Sequence, residues 1–174
     1  YIFMADQQKQ NIQWFPGHMA KTRRLIKEQL KLVDAVTMIL DARIPISSLN
    51  PEIDEITEGK PKIVLLNKAD LADENATARW IKYYNSQGSS ALAVDCRTGR
   101  GLNAFRPLVR EVLKDKIKQN EDKGMKGKTL RIMVIGIPNT GKSSFVNKMG
   151  AGGKAKVGDR AGVTRNNQWF VIGG

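Results

Sequence analysis

The 174-residue chain is short of several things. It has one cysteine, Cys96, and one histidine, His18. A single cysteine excludes an intrachain disulfide and fits a reducing compartment, so a cytoplasmic location is expected. No apolar run approaches the length needed to span a bilayer, and no membrane partner is expected. Residues 1–11 lack a signal-peptide pattern and read as a disordered polar tail, with Met4 a candidate native start. Acidic residues are scarce too: 17 Asp and Glu stand against 29 Lys and Arg, a net charge of +12. A domain this basic usually meets a polyanion; RNA is expected and DNA is not. The bland alternative is a lysine-rich solvated surface with no such partner.

What is present is a series of short apolar runs. Ala35–Leu40 ends at Asp41, Lys62–Leu66 at Asn67, Ala91–Val94 at Asp95, and Leu130–Ile135 at Gly136. Each reads as a buried strand that delivers a polar residue or a glycine at its carboxyl end. Helical patterns lie between them, at about 19–32, 51–58, 74–87 and 102–118. The last carries Leu102, Phe105, Val109, Val112 and Leu113 on one face. Strands alternating with helices predict a parallel sheet covered on both faces. Ligands of such sheets bind at the carboxyl ends of the strands. Residues 119–129 are charged, contain glycine and lack apolar periodicity, and so read as a linker.

Gly136–Ser143 spells G-x-x-x-x-G-K-S after a predicted strand and before a predicted helix at 142–149. That context identifies a phosphate-binding loop. Its glycines let backbone N–H groups turn toward phosphate oxygens, and the following helix points its positive end at the same anion. Asn139, Thr140, Gly141, Lys142, Ser143 and Ser144 are the expected nucleotide contacts. Lys142 would neutralise the β- and γ-phosphates, and the Ser143 hydroxyl would ligate Mg²⁺.

Asn67-Lys68-Ala69-Asp70 spells N-K-x-D at the end of another predicted strand. The Asp70 carboxylate can accept two parallel hydrogen bonds from guanine N1–H and N2–H, a donor pair adenine lacks. Asn67 can bridge toward the phosphate loop, and the aliphatic stem of Lys68 can cover the ring. The loop after the next strand, with Asp95 and Cys96, is placed to offer backbone N–H groups to guanine O6. The base motif precedes the phosphate loop, the reverse of the usual GTPase order.

These residues resemble the YlqF/RbgA type of circularly permuted GTPase, bacterial factors of large ribosomal subunit assembly. The resemblance rests on Gln13–Lys21, Asp41–Pro45, Asn67–Asp70, Gly136–Ser144 and Gly162–Thr164, and so covers residues 12–174. It implies an α/β, Ras-like P-loop fold with a mostly parallel sheet, circularly permuted, with 119–129 at the permutation junction. It also implies GTP or GDP with Mg²⁺, weak intrinsic GTP hydrolysis, and the large ribosomal subunit and its rRNA as partner. Thr164 matches the switch threonine that closes on Mg²⁺. His18 matches the water-positioning residue, and Asn139 matches the asparagine that holds K⁺ beside the phosphates. Basic residues of the first helix and of 148–165 are the expected RNA contacts.

The family's D-x-x-G sensor should follow the last strand. Asp159–Gly162 spells it, but before Thr164, and it is rejected as the sensor. The strand at 168–172 ends in Gly-Gly like half a hairpin. A piece of a longer protein is therefore expected, with turnover belonging to the complete protein. The competing readings are a nucleotide- and RNA-binding fragment without turnover, and a P-loop ATPase whose N-K-A-D is accidental.

Overall fold

A computed structural model describes residues 24, 26–45, 55–136, 142–151, 155–158 and 167–172. The strands are β1 (Ala35–Asp41), β2 (Lys62–Asn67), β3 (Ser90–Ala93), β4 (Leu130–Gly136), β5 (Ala155–Gly158) and β6 (Asn167–Ile172). The helices are α1 (Glu74–Ser86), α2 (Phe105–Val112), α3 (Lys114–Asp122) and α4 (Lys142–Ala151), with a further helical stretch at 26–30. All six strands form one sheet in the order β3-β2-β1-β4-β6-β5. β1 pairs in parallel with β2 and β4, and β2 with β3. β6 runs antiparallel to both β4 and β5. The mostly parallel sheet expected from the sequence is present.

β1 is buried along its whole length, as a central parallel strand with both faces covered must be. Its alternate residues serve opposite layers. Ala35 and Ile39 join Ile63, Leu65, Ile132 and Val134 under α2 and α4, through Phe105, Val109, Phe145 and Val146. Val36, Met38 and Leu40 join Val64, Leu66 and Met133 under α1 and the 26–30 stretch, through Tyr84, Ile26 and Leu30. The Phe105 and Phe145 rings meet edge to face, centroids 5.0 Å apart, and lock α2 against α4.

The single helix expected over 102–118 is divided. Residues Leu102–Ala104 form a 3-10 turn, and α2 starts at Phe105. Pro107 is the reason. It has no N–H to donate, and its ring would clash with the carbonyl four residues back, so it must sit in a helix's first turn. Leu113 is a turn residue between the two helices: its N–H reaches Val109 O at 2.9 Å, and Ile117 N–H reaches Leu113 O at 2.9 Å. The helical path then continues to Asp122, four residues into the stretch read as linker. It stops at Gly124, whose φ is +78°. Gly124 N–H donates to Glu121 O at 2.9 Å and Met125 N–H to Asn120 O at 2.8 Å, the paired closure of a left-handed helix end. β5 was not expected; Ala155–Gly158 is only four residues, too short for its Ala-Lys-Val alternation to stand out as a strand.

Candidate functional site

Three parallel strands bring their carboxyl ends into a row. Asp41 of β1 is in register with Asn67 of β2 on one side, and Ile39 with Gly136 of β4 on the other. The base motif thus leaves β2, the phosphate motif leaves β4, and Asp41 stands between them.

Asn67 is buried, and its Oδ1 accepts the Cys96 N–H at 2.8 Å, joining loops 29 residues apart in sequence. The same seam is closed by Ala69 N–H to Val94 O at 3.2 Å and Val94 N–H to Leu66 O at 2.9 Å. Lys68 is the one non-glycine residue with positive φ among the described residues, at φ 60° and ψ 33°. This left-handed step is uncommon outside glycine and Asn/Asp. It turns the chain into the 3-10 turn Ala69–Leu71, with Leu71 N–H closing on Lys68 O at 2.9 Å. Asp70 sits exposed in that turn. It lines a cavity of about 610 Å³ together with Ala69, Val94, Asp95, Arg100 and Gly101. Three residues on, Asp73 caps α1 by accepting the Asn75 N–H at 2.8 Å and the Ala76 N–H at 3.3 Å. That cap fixes the base-motif turn to a rigid helix.

The loop after β3 is held by its own side chains. Asp95 accepts the Thr98 hydroxyl at 2.9 Å and the Arg97 N–H at 3.0 Å. The Thr98 hydroxyl, with the loop amides, holds its carboxyl below the usual carboxylate range. Sequence reasoning expected this loop to offer N–H groups to a base. In the structure the Cys96 N–H is on Asn67 and the Arg97 N–H on Asp95, so Asp95 and Cys96 act here as shapers of the loop. The Cys96 thiol is fully buried, and burial pushes its pKa up to about 12. That is the environment of a structural cysteine, not a reactive one.

Asp41 is the residue that sequence reasoning noted but gave no role. Its side chain is 8% exposed. Arg43 grips it with Nε to Oδ1 at 3.0 Å and Nη2 to Oδ2 at 2.7 Å, and Arg43 N–H adds a bond to Oδ1 at 2.9 Å. The hydrogen-bonded Arg43 guanidinium holds the Asp41 carboxyl below its usual range. Lys68 Nζ approaches Oδ2 to 3.7 Å. The signal available in the sequence was a carboxylate closing an apolar strand; that this strand lies between the two motif strands is visible only in the sheet.

On the phosphate side, β4 runs to Gly136 and α4 begins at Lys142. A helix N-terminus facing the carboxyl end of a central strand favours an anion. Ser144 is exposed in its first turn. His18, Asn139, Thr140, Gly141 and Thr164 lie outside the described residues, and for Lys142 and Ser143 only the backbone is described. Of the basic residues expected to meet RNA, Arg24, Lys27 and Lys31 are exposed on or beside the 26–30 stretch, and Lys148 is exposed on α4. Among the described residues no helix is long and apolar enough to cross a membrane.

Comparison with known proteins follows the same lines. The family model described as 50S ribosome-binding GTPase matches residues 131–174. Ribosome biogenesis GTPase A of Bacillus pumilus is 49% identical over 162 residues, and that of Priestia megaterium is 50% identical over 163. Each match takes in 93% of this chain and 57% of the relative. The chain therefore spans little more than half the length of the curated relatives it matches. The solved structure of GNP-bound YlqF from T. maritima superposes with a TM-score of 0.51 at 30% identity, covering 74% of this chain and 47% of that one. Over nearly its whole length the chain is similar to ribosome biogenesis GTPase A, and most of it superposes on YlqF. A GDP-bound YlqF structure agrees, with a TM-score of 0.51 at 28% identity over 73% of this chain and 48% of that one. Among the described strands, the one leading into the G-x-x-x-x-G-K-S sequence comes fourth in the chain yet lies beside the first in the sheet. The inverted motif order is thus a property of chain connectivity, and the sheet remains that of a P-loop GTPase domain.

Proposed function

We propose that this domain binds GDP and GTP across the carboxyl ends of β2, β1 and β4, and that the complete protein hydrolyses GTP as an assembly factor for the large ribosomal subunit. The observation that carries the reading is the row of strand ends: Asp70, a guanine-reading carboxylate, flanks one side of β1, and the helix that follows the G-x-x-x-x-G-K-S motif flanks the other. Asp70 selects guanine over adenine because only guanine offers both N–H donors. Mg²⁺ prefers hard oxygen ligands and keeps much of its shell on phosphate and water. The hydroxyls of Ser143 and Thr164 suit it, and the ion would neutralise charge on the phosphates. Asn139 is proposed to hold a K⁺ ion beside them, and His18 to accept a hydrogen bond from the attacking water. The exposed basic residues of the 26–30 stretch and α4 are proposed to meet rRNA phosphates.

A titration with fluorescent GDP, GTP and ATP tests the reading. GDP and GTP should bind and ATP should not; ATP binding as tight as GDP would sink it. In the complete protein, hydrolysis should run faster in K⁺ than in Na⁺, and equal rates would remove the K⁺ site. RNA affinity should fall steeply with added salt if phosphate contacts dominate.

A further inference from the structure

The proposed base site leaves one strained residue and one buried charge unexplained, and they touch. Lys68 carries the left-handed backbone step in the middle of N-K-A-D. Its ammonium lies 3.7 Å from the Asp41 carboxylate, with the Lys68 side chain 30% exposed and that of Asp41 8% exposed. A lysine on four rotatable bonds is not fixed by its backbone alone. It needs an anchor for its head if its stem is to lie in one place. Asp41 is such an anchor. It is rigid, because β1 is buried from Ala35 to Asp41 and the fork of Arg43 holds both carboxylate oxygens. The backbone helps as well: Ala42 N–H donates to Asn67 O at 2.7 Å, tying the turn after β1 to the residue just before Lys68.

We infer that Asp41, braced by Arg43, is a positioning residue that holds the Lys68 side chain, and with it the left-handed turn, in the arrangement that covers the face of a bound purine. The inference rests on the guanine-nucleotide reading for its ligand. Asp41 touches no nucleotide in this scheme and acts through Lys68. The D-A-R sequence is then the second half of the base motif, supplied by the neighbouring strand. Arg43 keeps Asp41 charged and aimed, so Lys68 shares an anion whose direction is already set.

The test is a mutant cycle on the intact chain: wild type, Asp41→Asn, Lys68→Met and the double variant. It is read by GDP and IDP affinity and by amide hydrogen exchange without nucleotide. A pair coupled through direct contact changes binding by roughly twofold to a hundredfold. Asp41→Asn should weaken GDP and IDP by the same factor in that range, because ring coverage is common to both bases and Asp70 still reads the edge. In the Lys68→Met background the same change should move affinity less than about twofold. Exchange at Ala69 and Leu71 should quicken in Asp41→Asn while the amides of β1 keep their protection. Equal losses of affinity in both backgrounds, or unchanged exchange at Leu71, would overturn the inference. Failure of wild type to bind GDP would overturn the functional reading instead, and the exchange result would still decide whether Asp41 orders the Lys68 turn.

Discussion

Among the described glycines, Gly101 has the tightest surroundings, in the loop that closes the proposed base site. Its φ is +83°, and a Cβ built there would lie 2.7 Å from Ala93 O and 3.4 Å from Val94 Cα. Gly101→Ala therefore meets two separate costs. The left-handed backbone costs about 1–2 kcal/mol for a residue with a Cβ. Forcing a methyl against the main chain of β3 costs about 1–3 kcal/mol more, since no flexible side chain can move aside. Reduced freedom of the unfolded chain returns about 0.4–1 kcal/mol. The central expectation is a loss of about 3 kcal/mol, or a fall in Tm of about 6–12 °C for a domain of this size. Gly124→Ala is the control. Its φ is +78° and nothing lies within 4 Å of its Cβ direction, so only the backbone cost applies, about 1 kcal/mol net. Thermal unfolding followed by circular dichroism, with urea midpoints as a second measure, separates the two. The loop of Gly101 also carries the Cys96 amide that binds Asn67, so GDP affinity should fall in Gly101→Ala and hold in Gly124→Ala. Should the two alanine variants prove equally stable, the close approach to Ala93 is not what demands glycine, and the reasoning fails.

Four further outcomes are expected. Thr37 is fully buried in β1, and its hydroxyl has no hydrogen-bond partner among the described residues; Thr37→Val should raise stability by about 1 kcal/mol, and a lowered urea midpoint would contradict this. Asn67→Ala leaves the buried Cys96 amide without its acceptor and should cost about 1–3 kcal/mol, with nucleotide affinity falling as the two loops part. Cys96 should resist iodoacetamide at about pH 8 in the folded protein and label readily in urea, and fast labelling of the native state would show the loop open. The folded pKa values of Asp41 and Asp95 lie below their ordinary values, so the stability they contribute is present above about pH 4 and is lost as pH falls through the folded values; Asp95→Asn should flatten the urea midpoint against pH on the acid side, and an unchanged slope would refute its role.

β1 to β4 could be read from the sequence because each is a short, mainly apolar run closed by a polar residue or glycine. That is what burial on both faces of a parallel sheet requires, and β1 is buried at every position. The motif N-K-A-D could be picked out because its expected chemistry resides in residue identity. Helix boundaries were less so. The face of Phe105, Val109 and Leu113 was visible, but Pro107 sets where α2 can begin, and Gly124 where α3 ends. Both signals were present; the Gly124 signal was outweighed by the loss of apolar periodicity after Lys118, and that of Pro107 by the apolar face running through it. The contacts that shape the site were out of reach. Nothing local says that Asn67 will accept an amide 29 residues away, or that Lys68 will adopt a left-handed backbone beside Asp41. Those facts follow from strand order, which the sequence of motifs does not state.

Strand order also explains how the inverted motifs would make one site. A nucleotide spanning base and phosphate pockets needs strand ends side by side, and it is indifferent to the order in which the chain supplies them. Here the chain leaves β1 toward β2 and β3, then returns to β1's other edge as β4. The return carries it from the edge of the sheet to its middle by way of α2, α3 and residues 123–129. Such a connection costs little extra, because closure entropy grows only with the logarithm of length. It also creates the reversal point at which open parallel sheets bind ligands. That point is the carboxyl end of β1, where Asp41 stands with Asn67 beside it in register and Gly136 on the adjoining strand. A carboxylate there is poorly placed to touch phosphate, which carries its own negative charge. It is well placed to hold cations beside the proposed ligand, and Arg43 and Lys68 are the cations paired with it.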